Sequence, residues 1–75
     1  MYKTSDTQLA AYLVTMGHIL QEVDRTNPQR IVFIFEDIIK LRKDEDVFYN
    51  GNPVCNVIQY EANKKSLLKK IYQNG

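Results

Sequence analysis

Few side chains in this sequence are suited to proton transfer or nucleophilic attack near neutral pH. There is one histidine, His18, and one cysteine, Cys55, with carboxylates clustered at Glu36-Asp37 and at Asp44-Glu45-Asp46. Acid–base or nucleophilic catalysis needs such groups as a set within hydrogen-bond reach of one another. Spacing assembles no such set. No CxxC or HxxxH pair offers a metal two ligands from one element, and the glycines stand singly, away from any phosphate-cradling loop. Each group also has a simpler use. His18 follows Gly17 and reads as a partly exposed polar residue between a helix and a strand, with a general base or pH switch as the alternative. Cys55 lies beside a helix start, where a thiol pKa can fall, but no cation adjoins it and it reads as a small buried or half-buried filler. Glu36-Asp37 reads as a strand end and a helix cap. Asp44-Glu45-Asp46 alternates with Lys40, Arg42 and Lys43 and reads as a solvated helix face, with base-first i,i+4 pairs Lys40–Asp44 and Arg42–Asp46. The expectation is no catalytic residue, no metal ligand, no cofactor and no small-molecule substrate.

Binding chemistry has more material. The last third of the chain carries Glu61 against Lys64, Lys65, Lys69 and Lys70. A phosphate track needs its cations on one face. Helical spacing puts Lys65 and Lys69 on one stripe with Glu61 beside it, and Lys70 on another side. Lys64 falls inside the apolar arc of Val57, Tyr60, Leu67, Leu68 and Ile71, where its stem can snorkel outward. Arg25 and Arg30 lie near the expected hairpin turn at Asn27-Pro28. Together Arg25, Arg30, Lys65, Lys69 and Lys70 are the candidates for nucleic-acid binding. Five tyrosines and three phenylalanines are many for this length. Tyr12, Phe33, Phe35 and Phe48 are assigned to the core. Tyr49, Tyr60 and Tyr72, with Lys64, are the candidates for a protein partner, tyrosine being enriched at interfaces. Phe33 and Phe35 share one face of a strand, a faint match to a base-stacking platform that a covering helix would cancel.

The chain has 75 residues, 44% of them apolar and 25% charged, with a net charge of +1. That is one globular domain, 1–75, ordinary in composition. A near-neutral balance by itself points to neither nucleic acid nor membrane. No disulfide is possible with one cysteine, no apolar run reaches a membrane span, and no signal peptide is visible. The expected setting is the cytoplasm.

Gly17, Asn27-Pro28, Asn50-Gly51-Asn52-Pro53 and Asn74-Gly75 punctuate the chain. Tyr2-Lys3-Thr4 reads as a short strand. Ser5 with Gln8 has capping-box spacing, and Leu9, Leu13 and Met16 continue a helix over 6–16 that Gly17 ends in a left-handed turn. Residues 18–25 and 30–36 form a hairpin. The run Ile31-Val32-Phe33-Ile34-Phe35 is apolar on both faces, which fits an interior strand covered on each side, and gives strand order 2-3-1. Asp37 caps a second helix through about Asn50, its apolar face being Ile38, Leu41 and Phe48 with Ile39 and Val47 to the side. Asn56 with Gln59 opens a third helix to about Gln73. The fold expected is α+β, in the order β-α-β-β-α-α.

The chain resembles a family of small proteins found in bacteria, archaea and their phages and described only as a domain of unknown function. The resemblance is carried by Tyr2-Lys3-Thr4-Ser5-Asp6, Leu9-Ala10-Ala11-Tyr12-Leu13, Gly17-His18, Val32-Phe33-Ile34-Phe35-Glu36-Asp37, Phe48-Tyr49-Asn50-Gly51 and Val54. Where that family opens its last helix with aspartate and proline, this sequence has Asn56 and Val57. The resemblance implies no activity and no site residues, and suggests a phage or mobile-element setting. The function expected is that of a non-enzymatic interaction protein, binding a protein partner or forming a homo-oligomer, with nucleic-acid binding as the alternative.

Overall fold

The computed structural model describes residues 1–72, with only the backbone of Tyr72; Gln73, the expected end of the third helix, and Asn74-Gly75 lie outside them. The elements follow the expected order: β1 (Tyr2–Thr4), α1 (Thr7–Thr15), β2 (Leu20–Asp24), β3 (Val32–Phe35), α2 (Ile39–Asn50) and α3 (Val57–Tyr72). The strands form one antiparallel sheet in the order β1-β3-β2, so the most apolar strand is the interior one.

Register explains the odd apolar spacing of β2. Leu20 pairs with Phe35 and Glu22 with Ile34, which leaves Gln21 as an extra residue in a bulge. The bulge lets Leu20 and Val23, an odd number of residues apart, both face the core. Tyr2 pairs with Phe35 on the other edge. Phe33 and Phe35, both fully buried, meet Leu9, Leu13, Leu41 and Leu67 in one cluster, to which all three helices contribute. Side chains alternate along a strand, so Ile34 points the other way. It is buried but belongs to no part of that cluster. Its cross-strand neighbours are Lys3 and Glu22. The helices therefore cover one face of β3, and side chains of flanking strands shield the other, in place of the helical cover expected on both.

α1 is buried from Leu9 to Leu13, and both other helices pack on it. Its small Ala10 and Ala11 permit that close approach. The N-cap is Asp6, one residue later than the Ser5 box implies. Asp6 Oδ1 accepts from the amides of Gln8 (3.0 Å) and Leu9 (3.2 Å), while Thr4 Oγ1 accepts from the Asp6 amide (3.1 Å). A carboxylate at this position also meets the positive end of the helix dipole. The C-terminus is a Schellman turn: the Gly17 amide donates to Val14 O and the His18 amide to Leu13 O, each at 3.0 Å. Gly17 has φ +95°, which a side chain rarely adopts.

The second helix starts without its expected cap. Ile38 holds the N-cap position and makes no side-chain bond there. Asp37 is engaged elsewhere, accepting from Arg42 Nε (3.2 Å) and Nη2 (3.0 Å). A bidentate charged pair outcompetes a cap bond for the carboxylate. Ile39 (79% exposed), Ile38 and Val47 are surface residues, so only Leu41 and Phe48 of the expected apolar face reach the core. Asn56 does cap α3, accepting from the Gln59 amide at 3.0 Å. Among the described residues no helix is long and apolar enough to cross a membrane.

Candidate functional site

The chemistry-bearing residues gather along the inner side of α2. The Schellman turn at Gly17 sends His18 inward, where its side chain is 3% exposed. His18 Nε2 lies 2.6 Å from Asp44 Oδ2, and Lys40 Nζ reaches the same oxygen at 3.2 Å. Burial pushes the Asp44 carboxyl up, but the hydrogen bonds from His18 and Lys40 outweigh it and leave the group below its ordinary value. At the next residue of α2, the Tyr2 hydroxyl donates to Glu45 Oε2. Burial first, then the bond and charge of Glu45, raise the Tyr2 phenol far above its ordinary range. Arg42 covers the Tyr2 ring at 5.1 Å, an attractive cation–π placement.

Two expectations are corrected here. His18 is a buried, partnered residue rather than a partly exposed one. Asp44 and Glu45 are half-buried links to α1's end and to β1 rather than a solvated face, which leaves Asp46 outward, bonded to Asn50 (3.0 Å) in place of Arg42. The signal was present in the spacing. Residues 41, 44, 45 and 48 share one helical stripe, so a helix that buries Leu41 and Phe48 brings Asp44 and Glu45 inward with them.

A His–Asp pair can orient an imidazole for proton transfer, but it acts on what reaches it. Cys55, half-buried, lies near Tyr12 and Tyr60. Glu36 is exposed at the end of β3. Among the described residues no group of His, Cys, Asp or Glu is placed to hold a metal, and no buried side-chain polar atom lacks a hydrogen bond. Within the cluster Asp44 is paired with His18 and Lys40, and Glu45 with Tyr2. Phe33 and Phe35 are covered, which removes the base-stacking platform.

The residues singled out for binding are dispersed. Tyr49, on α2, is 54% exposed and donates its hydroxyl to Asp6 Oδ2 at 2.7 Å. That bond, with some burial, pushes its phenol up to about 12. Tyr60 packs against the core, Lys64 is half-buried, and the side chain of Tyr72 lies outside the described residues. Arg25 and Arg30 are exposed near the β2–β3 connection, and Lys65, Lys69 and Lys70 on α3. Asp6 thus serves twice, as cap and as acceptor. Asp6→Ala is expected to cost about 1–2 kcal/mol in urea unfolding and to bring the Tyr49 phenol back toward its ordinary 10 in an ultraviolet pH titration. An unmoved Tyr49 titration would contradict the bond.

The feature that sequence reasoning missed is on the outside of α3. Val57, assigned to the apolar core arc, is 70% exposed, Ile58 is 81% exposed and Val54, just before the helix, 80%. Val57, Ile58, Glu61, Ala62 and Lys65 line a shallow hollow of about 400 Å³. The helix turns Tyr60, Leu67 and Ile71 toward the core, and that choice strands its first apolar residues in solvent. A second hollow, of about 460 Å³, is lined by Ser5, Thr7, Arg30 and Ile71 among others.

Neither the curated proteins nor the solved structures contain a match to this chain. A family model described as a domain of unknown function, DUF5659, matches residues 1–73. That match spans both edges of the sheet, the His18–Asp44 pair and the exposed start of α3, and the chain belongs to the DUF5659 family.

Proposed function

We propose that this domain is a small non-enzymatic interaction protein of the cytoplasm, an accessory factor of a phage or mobile element, that works by binding a protein partner or by self-association. The observation that carries the reading is the uncovered aliphatic start of α3, with Val54, Val57 and Ile58 each at least 70% exposed. A domain of this size has little core to spare, supplying only ~3–5 kcal/mol of stability. Val57 and Ile58 share one hollow in water, with Val54 just before them in the chain, and an exposed apolar patch of this kind supports a contact surface. The enclosure of His18 against Asp44 supports a structural use for the one imidazole in the chain. The phage setting rests on the resemblance noted from the sequence.

The test compares the wild-type chain with Ile58→Lys, both immobilised and exposed to lysate of the source cell. Proteins retained by the wild type and lost from the variant are expected, with circular dichroism unchanged. Identical retention by the two contradicts the reading. Light scattering decides the oligomer: a monomer at high concentration removes self-association. Nucleic-acid binding is the second reading, favoured by Arg30 sharing a hollow with the C-terminal end of α3. It requires retardation of mixed DNA or RNA at ~50 mM salt that weakens steeply as salt rises.

A further inference from the structure

We propose that the outer face of α3 receives an acidic amphipathic helix of a partner protein, apolar at one end and carboxylate-bearing at the other. This deepens the interaction-protein reading and rests on it. Ile58, Ala62, Lys65 and Lys69 follow one another at i, i+4, i+7 and i+11, a single straight stripe on an α-helix. All four are exposed, with Val57 beside the stripe and Val54 leading into it. The first half is aliphatic, with Glu61 at its edge in the same hollow, and a helix laid in a shallow apolar groove anchors through such positions. The second half is basic. Among the described residues neither Lys65 nor Lys69 has a salt-bridge partner, so their charges are available to an incoming acid. The occupant complementary to this stripe carries aliphatic side chains for Val57, Ile58 and Ala62 and carboxylates for Lys65 and Lys69.

A second copy of the chain fits less well. In an antiparallel pair of α3 helices, the register that sets Glu61 beside the other copy's Lys65 puts Val57 level with Lys69, so charge pairing separates the aliphatic ends. The register that joins Ile58 to Ile58 overlaps only the first turns of each helix. Such an overlap falls far short of the roughly 800 Å² per partner of a standard interface. A phosphate backbone would use the lysines and leave the aliphatic half in water.

The probe is a displayed library of random helical peptides, selected against the intact chain. Enriched peptides are expected to combine aliphatic residues over two turns with Asp or Glu over the next. Ile58→Asp should weaken them about tenfold or more, as loss of a central anchor does. Lys65→Glu with Lys69→Glu should redirect selection from acidic to basic peptides with the aliphatic half kept. Ile58, Lys65 and Lys69 are all exposed, so the variants should keep the wild-type fold, which circular dichroism checks. Enriched peptides that ignore all three substitutions would overturn this inference and leave the interaction reading standing. No enriched peptide, with no lysate protein lost from Ile58→Lys, would overturn both. Dimerisation in light scattering that Ile58→Asp abolishes would assign the stripe to a second copy instead. Binding to phosphatidylserine vesicles, abolished by the Lys65→Glu and Lys69→Glu pair, would assign it to a lipid surface.

Discussion

Phe35→Ala unfolds the domain. Phe35 is fully buried on the interior strand, paired with Tyr2 on one side and Leu20 on the other. Its ring is the point where both edge strands and the helices meet. Truncating a buried phenylalanine costs about 3–5 kcal/mol, and a core this small supplies about the same. The expected result is loss of the cooperative thermal transition and collapse of amide chemical-shift dispersion at 25 °C. Ile39→Ala is the matched control: Ile39 is 79% exposed, and its truncation should stay within about 0.5 kcal/mol of wild type. A Phe35→Ala variant that melts cooperatively within a few degrees of wild type would show that the sheet is held by something other than this face.

The second large effect belongs to Asp44. Asp44→Ala removes the acceptor of a buried imidazole 2.6 Å away and of Lys40. A buried donor left without a partner costs about 1–3 kcal/mol, a large share of the total. The pH dependence has a definite sign. The folded-state carboxyl lies below its ordinary 3.8, so its contribution is complete above that value and is lost as pH falls through the lower folded-state pKa. Urea midpoints of wild type and Asp44→Ala should differ above the carboxylate range and converge as pH falls below 3.8. A gap that persists unchanged to pH ~2 would mean that the carboxylate charge has no part in it.

The legible parts of the fold were those set by local chemistry. Gly17 had to take a left-handed turn, Asn56 had to cap, and a run apolar on both faces had to be interior. The less legible parts were choices between partners for one group. Ser5 and Asp6 both suit an N-cap, and the winner was decided by Thr4 binding the Asp6 amide. Asp37 was equally suited to a cap and to Arg42, which lies just over one turn further along. The bulge at Gln21 has no signature in the sequence beyond the unequal spacing of Leu20 and Val23. The site shows the same division. Charge alternation suggested that Asp44 and Glu45 were solvated, while their stripe with Leu41 and Phe48 placed them inward, and the stripe governs because helix rotation is fixed by what must be buried. On α3 the apolar arc from Val57 to Ile71 was wider than one contact face. Tyr60, Leu67 and Ile71 won the core, and Val57 was left outside, next to Ile58.

His18 and Asp44 are enclosed together as a structural link between the end of α1 and α2, and the contact surface we propose lies elsewhere, on the outside of α3. Histidine acylation by diethyl pyrocarbonate, read by peptide mass spectrometry, tests this directly because the chain has a single histidine. In the folded protein His18 should stay unmodified while exposed lysines such as Lys65 react, and it should react fully in urea. Native His18 modified as fast as a free imidazole would show the pair with Asp44 to be open to solvent, and would contradict the account.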